Sequence, residues 1–378
     1  MRLNLSLSIT LLAALSLPST SRADCHMILP GQPGGEADTI IFRGCNIKID
    51  NGTGSTNKVN GLGNLIIGYA ERRGGKADKR TGSHNVVVGD RNNYTRFGSV
   101  VAGYQNEVSG DYASVVGGTE NVASGTASTI SGGRANVASG DRSSVAGGES
   151  GLASGAAATV GAGFGNTASG LYAAVMGGSD NVASASYDSV TGGKANLAAG
   201  GYSSVCGGAG NIAANTATAV SGGLRNRAAG IGAAVSGGAD NQATGFEAAV
   251  SGGQANEAGG TASSVAGGRA SHALATHATV SGGIDNWATG PNAAVSGGQH
   301  NTASGAQASV TGGSDNTGSG DFSSVSGGSS GTAMGPIASI TGGLANFASG
   351  QVATVSGGFN RAARAHANWA GGSLLEDQ

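Results

Sequence analysis

The apolar positions of this chain recur at a fixed spacing. From Val100 to Val355, a Val or Ile returns every fifteen residues through eighteen positions, with no insertion or deletion between them. Small residues, mainly Ser, Ala and Gly, surround each of these positions. β-branched residues alternating with small ones favour short strands, whereas helices need an apolar period near 3.6 residues. The pattern therefore predicts a β-solenoid in which one repeat forms one coil.

Turn residues stand at constant distances from these apolar positions. Gly118 lies three residues beyond Val115 and Gly125 ten residues beyond it, and other repeats carry glycines at the same places. We expect these glycines to adopt positive φ angles or to allow neighbouring strands to approach closely. Asn121 lies six residues beyond Val115, and its equivalents should stack as a ladder of side-chain amides. Four repeats replace this Asn, with Gly151, Ser271, Gly331 and Arg361.

Composition excludes a conventional globular core. Gly accounts for 73 of 378 residues, aromatic residues for 4% and charged residues for 11%, against roughly 25% charged residues in ordinary domains. The formal net charge of -2 gives no electrostatic reason to expect nucleic acid or an acidic membrane surface as a partner.

The amino terminus has the features of an export signal. A largely apolar run, Leu3–Leu17, follows Arg2, and Ala23 occupies a small-residue cleavage position. We expect a signal peptide over residues 1–23 and a secreted or surface-exposed mature chain with no segment spanning a membrane. Export favours a disulfide between Cys25 and Cys45, with two free thiols as the alternative.

The repeat resembles a known family. Its phrase S-V-x-G-G-x-x-N-x-A-S-G, as in "SVVGGTENVASG" beginning at Ser114, is similar to the head repeat of YadA-like trimeric autotransporter adhesins. The segments "NLIIGY" (64–69), "NVVVGD" (85–90) and "SVVAGY" (99–104) carry fuller strands, and Gly89 to Gly103 is a fourteen-residue step like that of the family. The resemblance implies a left-handed parallel β-roll in a homotrimer, and an adhesin-like function at the cell surface. We expect the head alone, without the family's stalk and membrane anchor.

Five segments follow from the repeat and its interruptions. They are the signal peptide (1–23), an N-terminal cap (24–63), atypical first coils with an inserted loop (64–98), the fifteen-residue repeats (99–360) and a C-terminal cap (361–378). Caps are expected because an open parallel ladder invites pairing with other chains. Eighteen coils stacked about 4.7–4.9 Å apart predict an all-β rod of roughly 85 Å.

Two surface features are candidates for contact with an external ligand, a polysaccharide or a protein. The inserted loop Glu71–Arg80 gathers cations that would suit an anionic polysaccharide; a solvated loop is the alternative. These cations are Arg72, Arg73, Lys76, Lys79 and Arg80. Three tyrosines at one repeat position, Tyr172, Tyr187 and Tyr202, should stack as an exposed aromatic row that receives sugars or simply stabilises the ladder.

Cys206 belongs to a column of mostly small residues. It directly follows Val205, so the two side chains should point to opposite faces of the strand. In the trimer implied by the resemblance, we expect this column near the threefold axis, where three Cys206 thiols would meet. An isolated, exposed cysteine is the alternative.

The sequence gives no support for catalysis, a cofactor or a metal. No nucleophile recurs beside a base and an acid, and the six histidines, expected at the surface, lack metal-ligand spacing. We therefore expect a non-enzymatic protein, a secreted adhesin-like fibre head. An ice-binding solenoid is the alternative, suggested by hydroxyl pairs such as Thr129 and Ser131. Ala174 and four equivalents interrupt their column.

Overall fold

The chain is all-β in the part that the structure describes. A computed structural model describes residues 26–28, 41–43, 46–74 and 77–371, and no α-helix occurs among them. Contacts divide the chain into two compact units, Met1–Ile49 and Asp50–Gln378.

The described residues of the first unit form one pair of strands. His26–Ile28 pairs antiparallel with Ile41–Arg43, and Met27 lies opposite Phe42. Cys25 and Cys45 lie outside the described residues, as does the expected signal peptide.

The second unit is a parallel β-solenoid. Apart from the first and last coils, each coil contributes a short strand to each of two ladders, and almost every strand pairs with its equivalents in the preceding and following coils. The first ladder consists of Leu65–Ile67, Val86–Asp90, Val100–Tyr104, Ser114–Val115, Thr129–Ile130, Ser144–Val145, Thr159–Val160, Ala174–Val175, Ser189–Val190, Ser204–Val205, Ala219–Val220, Ala234–Val235, Ala249–Val250, Ser264–Val265, Thr279–Val280, Ala294–Val295, Ser309–Val310, Ser324–Val325, Ser339–Ile340, Thr354–Val355 and Trp369–Ala370.

The second ladder runs beside the first. It consists of Asn93–Tyr94, Glu107–Val108, Val122–Ala123, Val137–Ala138, Leu152–Ala153, Thr167–Ala168, Val182–Ala183, Leu197–Ala198, Ile212–Ala213, Arg227–Ala228, Gln242–Ala243, Glu257–Ala258, His272–Ala273, Trp287–Ala288, Thr302–Ala303, Thr317–Gly318, Thr332–Ala333, Phe347–Ala348 and Ala362–Ala363. Single parallel bridges, such as Ser179 with Lys194, join the coils along a third line between the ladders.

The core is narrow and made of small side chains. Each regular coil buries a Val or Ile from the first ladder and, with one Gly exception, an Ala from the second; Val190 and Ala198 are fully buried. The residue two positions before the buried Val also points inward, and it is usually Ala or Ser. Burying one Val contributes roughly 1.5–3 kcal/mol, so hydrogen bonds between coils must supply much of the order.

The coil length changes from fourteen to fifteen residues at one point. Val101 pairs with Val115, a step of fourteen, whereas Tyr104 pairs with Thr119, a step of fifteen. The additional residue therefore lies at Val116–Gly117, and every later coil retains it. The sequence pattern placed Val100 first in the fifteen-residue series, and this assignment is wrong. Val100 is exposed, and Val101 is the buried residue of that coil.

The inserted position is occupied by Gly in nearly every coil. In thirteen coils a Cβ at this Gly would meet no atom within 4 Å, and the backbone has no positive φ angle of the kind that requires Gly. We call these thirteen residues the outer glycines. Ala162 occupies the same position in one coil. The outer glycines are therefore not required by contacts within the chain. They are Gly132, Gly147, Gly192, Gly207, Gly222, Gly237, Gly252, Gly267, Gly282, Gly297, Gly312, Gly327 and Gly342.

The two glycines singled out in each repeat serve different purposes, as expected. Gly118 has a φ angle of 85°, in the left-handed region that favours Gly. Gly125 has no such angle, but a Cβ there would overlap the carbonyl group of Gly140 in the next coil. Further left-handed positions, including Tyr202 with a φ angle of 55°, carry ordinary side chains and were not anticipated.

The asparagines stack as a buried column. The backbone N–H of Asn196 donates to Oδ1 of Asn181 at 3.0 Å, and its Nδ2 donates to the carbonyls of Gly192 and Gly208 at 2.9 and 3.0 Å. Successive side chains are thus joined through the backbone, and no direct bond between their amide groups is needed. Because each Asn satisfies three buried groups, the column fixes the spacing of consecutive coils.

One coil carries a buried carboxylate. Oδ1 of Asp188 accepts hydrogen bonds from Gly201 N–H, Ser203 N–H and Ser203 Oγ at 2.9, 3.0 and 2.7 Å, and Oδ2 accepts from Ala185 N–H at 2.8 Å. Ala185 replaces the close-approach glycine of other coils, whose N–H donates to a carbonyl of the next coil. Asp188 therefore satisfies backbone groups that an altered turn leaves without their usual acceptors.

Hydrogen bonds join the segment before the first coil to Ser83 and His84, and strand pairing continues beyond residue 360. In the loop before the first coil, the N–H of Asn51 donates to Nε2 of His84 at 3.2 Å and the N–H of Asn60 to Oγ of Ser83 at 3.0 Å. Beyond residue 360, where a cap was expected to begin, strand pairing continues through Ala370 and adds a further coil. Residues 372–378 lie outside the described part.

Candidate interaction surfaces

The outer glycines form part of a face on which most side chains are small. The residue before each is exposed and mostly Ser, Thr or Ala, and the outer residue of each first-ladder strand is Ser, Thr or Ala from Ser114 to Thr354. Cys206 lies on this face, exposed, and opposite in direction to the buried Val205, as its sequence neighbours predicted. Backbone exposed in this way allows another chain to approach closely.

The hydroxyl columns of the ice-binding alternative lie on the same face. Thr129 and Ser131 flank the buried Ile130 and both point outward. The exposed column is interrupted by Val116, Gly161, Met176 and other residues that have no hydroxyl group. A regular array of hydroxyls is therefore absent from this described face.

The inserted basic loop uses two of its cations within the chain. Arg73 donates through Nε to the carbonyl of Arg91 at 2.8 Å, donates through Nη2 to the carbonyl of Gln105, and lies 3.7 Å from Glu107. Arg80 donates to the carbonyl of Ala70 at 2.5 Å.

The cations of this loop differ in how far their side chains are exposed. Arg80 also pairs with Asp78 at 2.9 Å, and its side chain is 14% exposed. Arg72 is 76% exposed beside the same carboxylate, and Lys79 is 53% exposed beside Glu107. Lys76 lies outside the described residues. The loop therefore offers outside ligands chiefly Arg72 and Lys79.

The three tyrosines stack as their repeat position predicted. The ring centroids of Tyr172 and Tyr187 are 5.2 Å apart, and those of Tyr187 and Tyr202 are 4.8 Å apart, with interplanar angles of 17° and 9°. All three rings are exposed. Together they form a short aromatic surface whose spacing is set by the coils.

The sequence pattern did not indicate an aromatic and ionic cluster on the second ladder. The ring of His272 stacks on Trp287 with centroids 3.9 Å apart, and its Nδ1 lies 3.2 Å from Glu257. Trp287 Nε1 donates to Asp285 at 2.8 Å. His272 faces outward from its strand, as expected for a surface histidine, and its side chain is 20% exposed. Repeat spacing was the available signal, since Glu257, His272 and Trp287 share one repeat position.

A histidine between two carboxylates continues this cluster. Nε2 of His300 lies 3.6 Å from Asp285, and its Nδ1 lies 3.3 Å from Asp315. The pKa of the Asp315 carboxyl lies below its ordinary value. The main cause is the hydrogen bond donated by the hydroxyl of Ser314, and His300 lowers the pKa further. Within the described ranges, no group of three or more His, Cys, Asp or Glu residues has an arrangement that would hold a metal ion.

The described fold defines a class, the parallel β-solenoids with fifteen-residue coils. No protein-family model matches the chain, and no curated protein matches it. A search of the described residues finds no helix with the length and apolar character needed to cross a membrane.

Proposed function

We propose that this protein is a secreted, homotrimeric, adhesin-like fibre head that mediates attachment or another extracellular interaction. The export signal and the resemblance of the repeat to YadA-like heads support this proposal. The observation that carries it is the column of outer glycines, because Gly recurs there in coil after coil without a steric or conformational reason inside the chain. Close approach of the same column in another copy gives that reason.

Display of side chains on the remaining surface provides the attachment function. The stacked Tyr172, Tyr187 and Tyr202 expose aromatic faces, and Arg72 and Lys79 expose charge. Aromatic rings and cations on a rigid scaffold suit a polysaccharide or a protein partner. The function requires neither catalysis nor a cofactor.

The molar mass of the mature protein in solution tests the proposal. We expect light scattering to give three times the chain mass, and Gly237→Leu combined with Gly252→Leu to give a folded chain of single mass. The matched control, Arg142→Ala, changes an exposed side chain that is not next to an outer glycine and should leave the trimer intact. A monomeric wild-type protein would contradict the proposal.

Cys206 gives a second readout of the same assembly. In the trimer its thiol should react slowly with a maleimide, and in the double Leu variant it should react rapidly. Rapid, complete labelling of the wild-type protein would place this face in water, and measurement of thermal hysteresis would then test the ice-binding alternative.

A further inference from the structure

The outer residues of the second ladder change character over five consecutive coils. The preceding coils carry aliphatic residues or Thr at this position, from Val122 to Ile212, and the following three carry Thr. Between them, strand pairing aligns five polar or aromatic residues in one line. We call this line the polar row: Arg227, Gln242, Glu257, His272 and Trp287.

A shallow cleft of about 340 Å³ lies at the Arg227 end of the polar row. Ile212, Arg227 and Gln242 form one side, and Arg225 and Asp240 form the other. A cavity of this volume lies at the lower end of the range typical of small-ligand sites. The cleft is thus large enough for a small chemical group, and it opens onto the polar row.

The two arginines of the cleft differ in whether their charge is paired. Arg225 makes two hydrogen bonds to Asp240, at 2.7 and 2.9 Å, so its charge is balanced. Arg227 is exposed and makes no ion pair or side-chain hydrogen bond with any described residue. The cleft therefore holds one uncompensated guanidinium, a group whose paired donors match a carboxylate.

The other end of the polar row presents an oriented aromatic ring. His272 covers one face of Trp287, and the bond from Nε1 to Asp285 fixes the ring's rotation. The next residue along the ladder is the small Thr302, so the second face of the indole is not covered by another large side chain of the row. Fixed aromatic rings of this kind provide flat apolar surfaces beside polar groups.

We propose that the polar row is a binding groove for a linear saccharide that bears carboxylate groups. Arg227 binds a carboxylate, Gln242 exchanges hydrogen bonds with hydroxyl groups, and Trp287 stacks on the apolar face of a sugar ring. Four coil steps separate Arg227 from Trp287, which places them roughly 19 Å apart along the ladder. An extended oligosaccharide spans that distance, whereas a single sugar does not.

This proposal deepens the proposed attachment function and rests on it only for access to an extracellular ligand. The groove is formed by one chain, so binding and assembly are measured separately. A monomeric protein that binds the saccharide would contradict the trimer and support the groove. A trimer that does not bind would contradict the groove alone.

Intrinsic fluorescence provides the test, because the chain has only two tryptophans. In mature protein carrying Trp369→Phe, Trp287 is the remaining indole, and titration with a short oligogalacturonate should give a saturable change. Arg227→Ala should weaken binding about tenfold or more, since a charged hydrogen bond is lost. A neutral galactan oligosaccharide of equal length should bind more weakly than the oligogalacturonate.

Two controls make the result specific. Arg142→Ala removes an exposed arginine at another coil position and should leave the affinity unchanged. An oligoglutamate peptide should bind weakly, because it has carboxylates but no sugar rings. Absence of saturable binding, equal affinity of Arg227→Ala and wild type, or equal binding of the peptide would each overturn the proposal.

Discussion

Neighbouring glycines in one turn have opposite structural requirements. Gly193 has a φ angle of 90°, and a Cβ there would overlap the carbonyl oxygen of Gly208 and lie 2.5 Å from Nδ2 of Asn196. Gly192, one residue earlier, has open space where a Cβ would be. The intrachain role of a glycine is therefore set by its place in the coil and not by its residue type.

Gly193 and the exposed Lys194 beside it give a direct comparison of stability. Gly193→Ala should lower the free energy of unfolding by roughly 1–3 kcal/mol from the left-handed backbone alone, with a further loss from the overlap. Lys194→Ala should change it by less than about 0.5 kcal/mol because that side chain is exposed. Chemical denaturation of the two variants measures the difference, and equal effects would contradict the coil register.

The inward-pointing serines also differ among themselves. Ser143 is buried and its hydroxyl has no hydrogen-bond partner, whereas the hydroxyl of Ser203, at the same coil position, donates to Asp188 at 2.7 Å. An unsatisfied buried hydroxyl destabilises the fold.

Substitution by Ala should therefore have opposite signs at these two positions. Ser143→Ala should raise the free energy of unfolding by about 1 kcal/mol, because Ala fits this column in other coils. Ser203→Ala should lower it by about 1–3 kcal/mol, since it removes a donor to a buried carboxylate. Thermal melts of both variants measure the two effects. A shift of the melting temperature in the same direction for both would contradict the unsatisfied burial of the Ser143 hydroxyl.

At the scale of the coil, the sequence was sufficient for the ladders but not for their details. Val and Gly at constant spacing predicted the two strands and the turn glycines, because burial and a positive φ angle select those residue types directly. The position of the inserted residue at Val116–Gly117 was not predictable, since apolar residues flank both candidate registers. The cluster around Trp287 was also missed, because its residues are far apart in sequence and share only a coil position.

Ion pairs between coils make a separate contribution that depends on pH. Arg225, bonded to the carboxylate of Asp240, holds the pKa of that carboxyl below its ordinary value of 3.8. A lowered pKa in the folded state means that the pair stabilises the fold above pH 3.8 and that this contribution is lost as the pH falls through the folded-state value.

Carboxyl-carbon NMR measures this effect at one residue. In Arg225→Gln, the pKa of Asp240 should rise towards 3.8, because the charged donor is gone. Arg134→Gln, which removes the distant partner of Glu149, should leave it unchanged. A pKa of Asp240 that does not respond to Arg225→Gln would contradict the bidentate pair.

Across the whole solenoid, every coil contacts chiefly its neighbours, so length is a variable and not a requirement. The twenty-one strands of the first ladder, about 4.8 Å apart, place its ends roughly 95 Å from each other. This is longer than the 85 Å expected from eighteen repeats, because additional coils precede and follow them.

Removing whole coils should therefore shorten the solenoid without unfolding it. Deletion of residues 129–173 removes three complete coils, and Ser128 would precede Ala174 in an equivalent register. The longest dimension from small-angle X-ray scattering should fall by about 14 Å. A control deletion, 129–166, removes a non-integral number of coils and should divide the thermal transition in two, because the coils on either side no longer stack in register; an unchanged single transition would contradict the register.

The interruptions in the asparagine column have a mechanical consequence. Gly151, Ser271 and Gly331 accept no hydrogen bond from the following coil through a side chain, although their own N–H groups still donate to Asn136, Asn256 and Asn316 at 2.8, 3.0 and 2.8 Å. Under tension along the solenoid axis, these junctions are the weakest links, and rupture should begin there. A pulling experiment would thus extend the molecule in blocks whose contour lengths correspond to the intervals between these three positions and the ends of the solenoid.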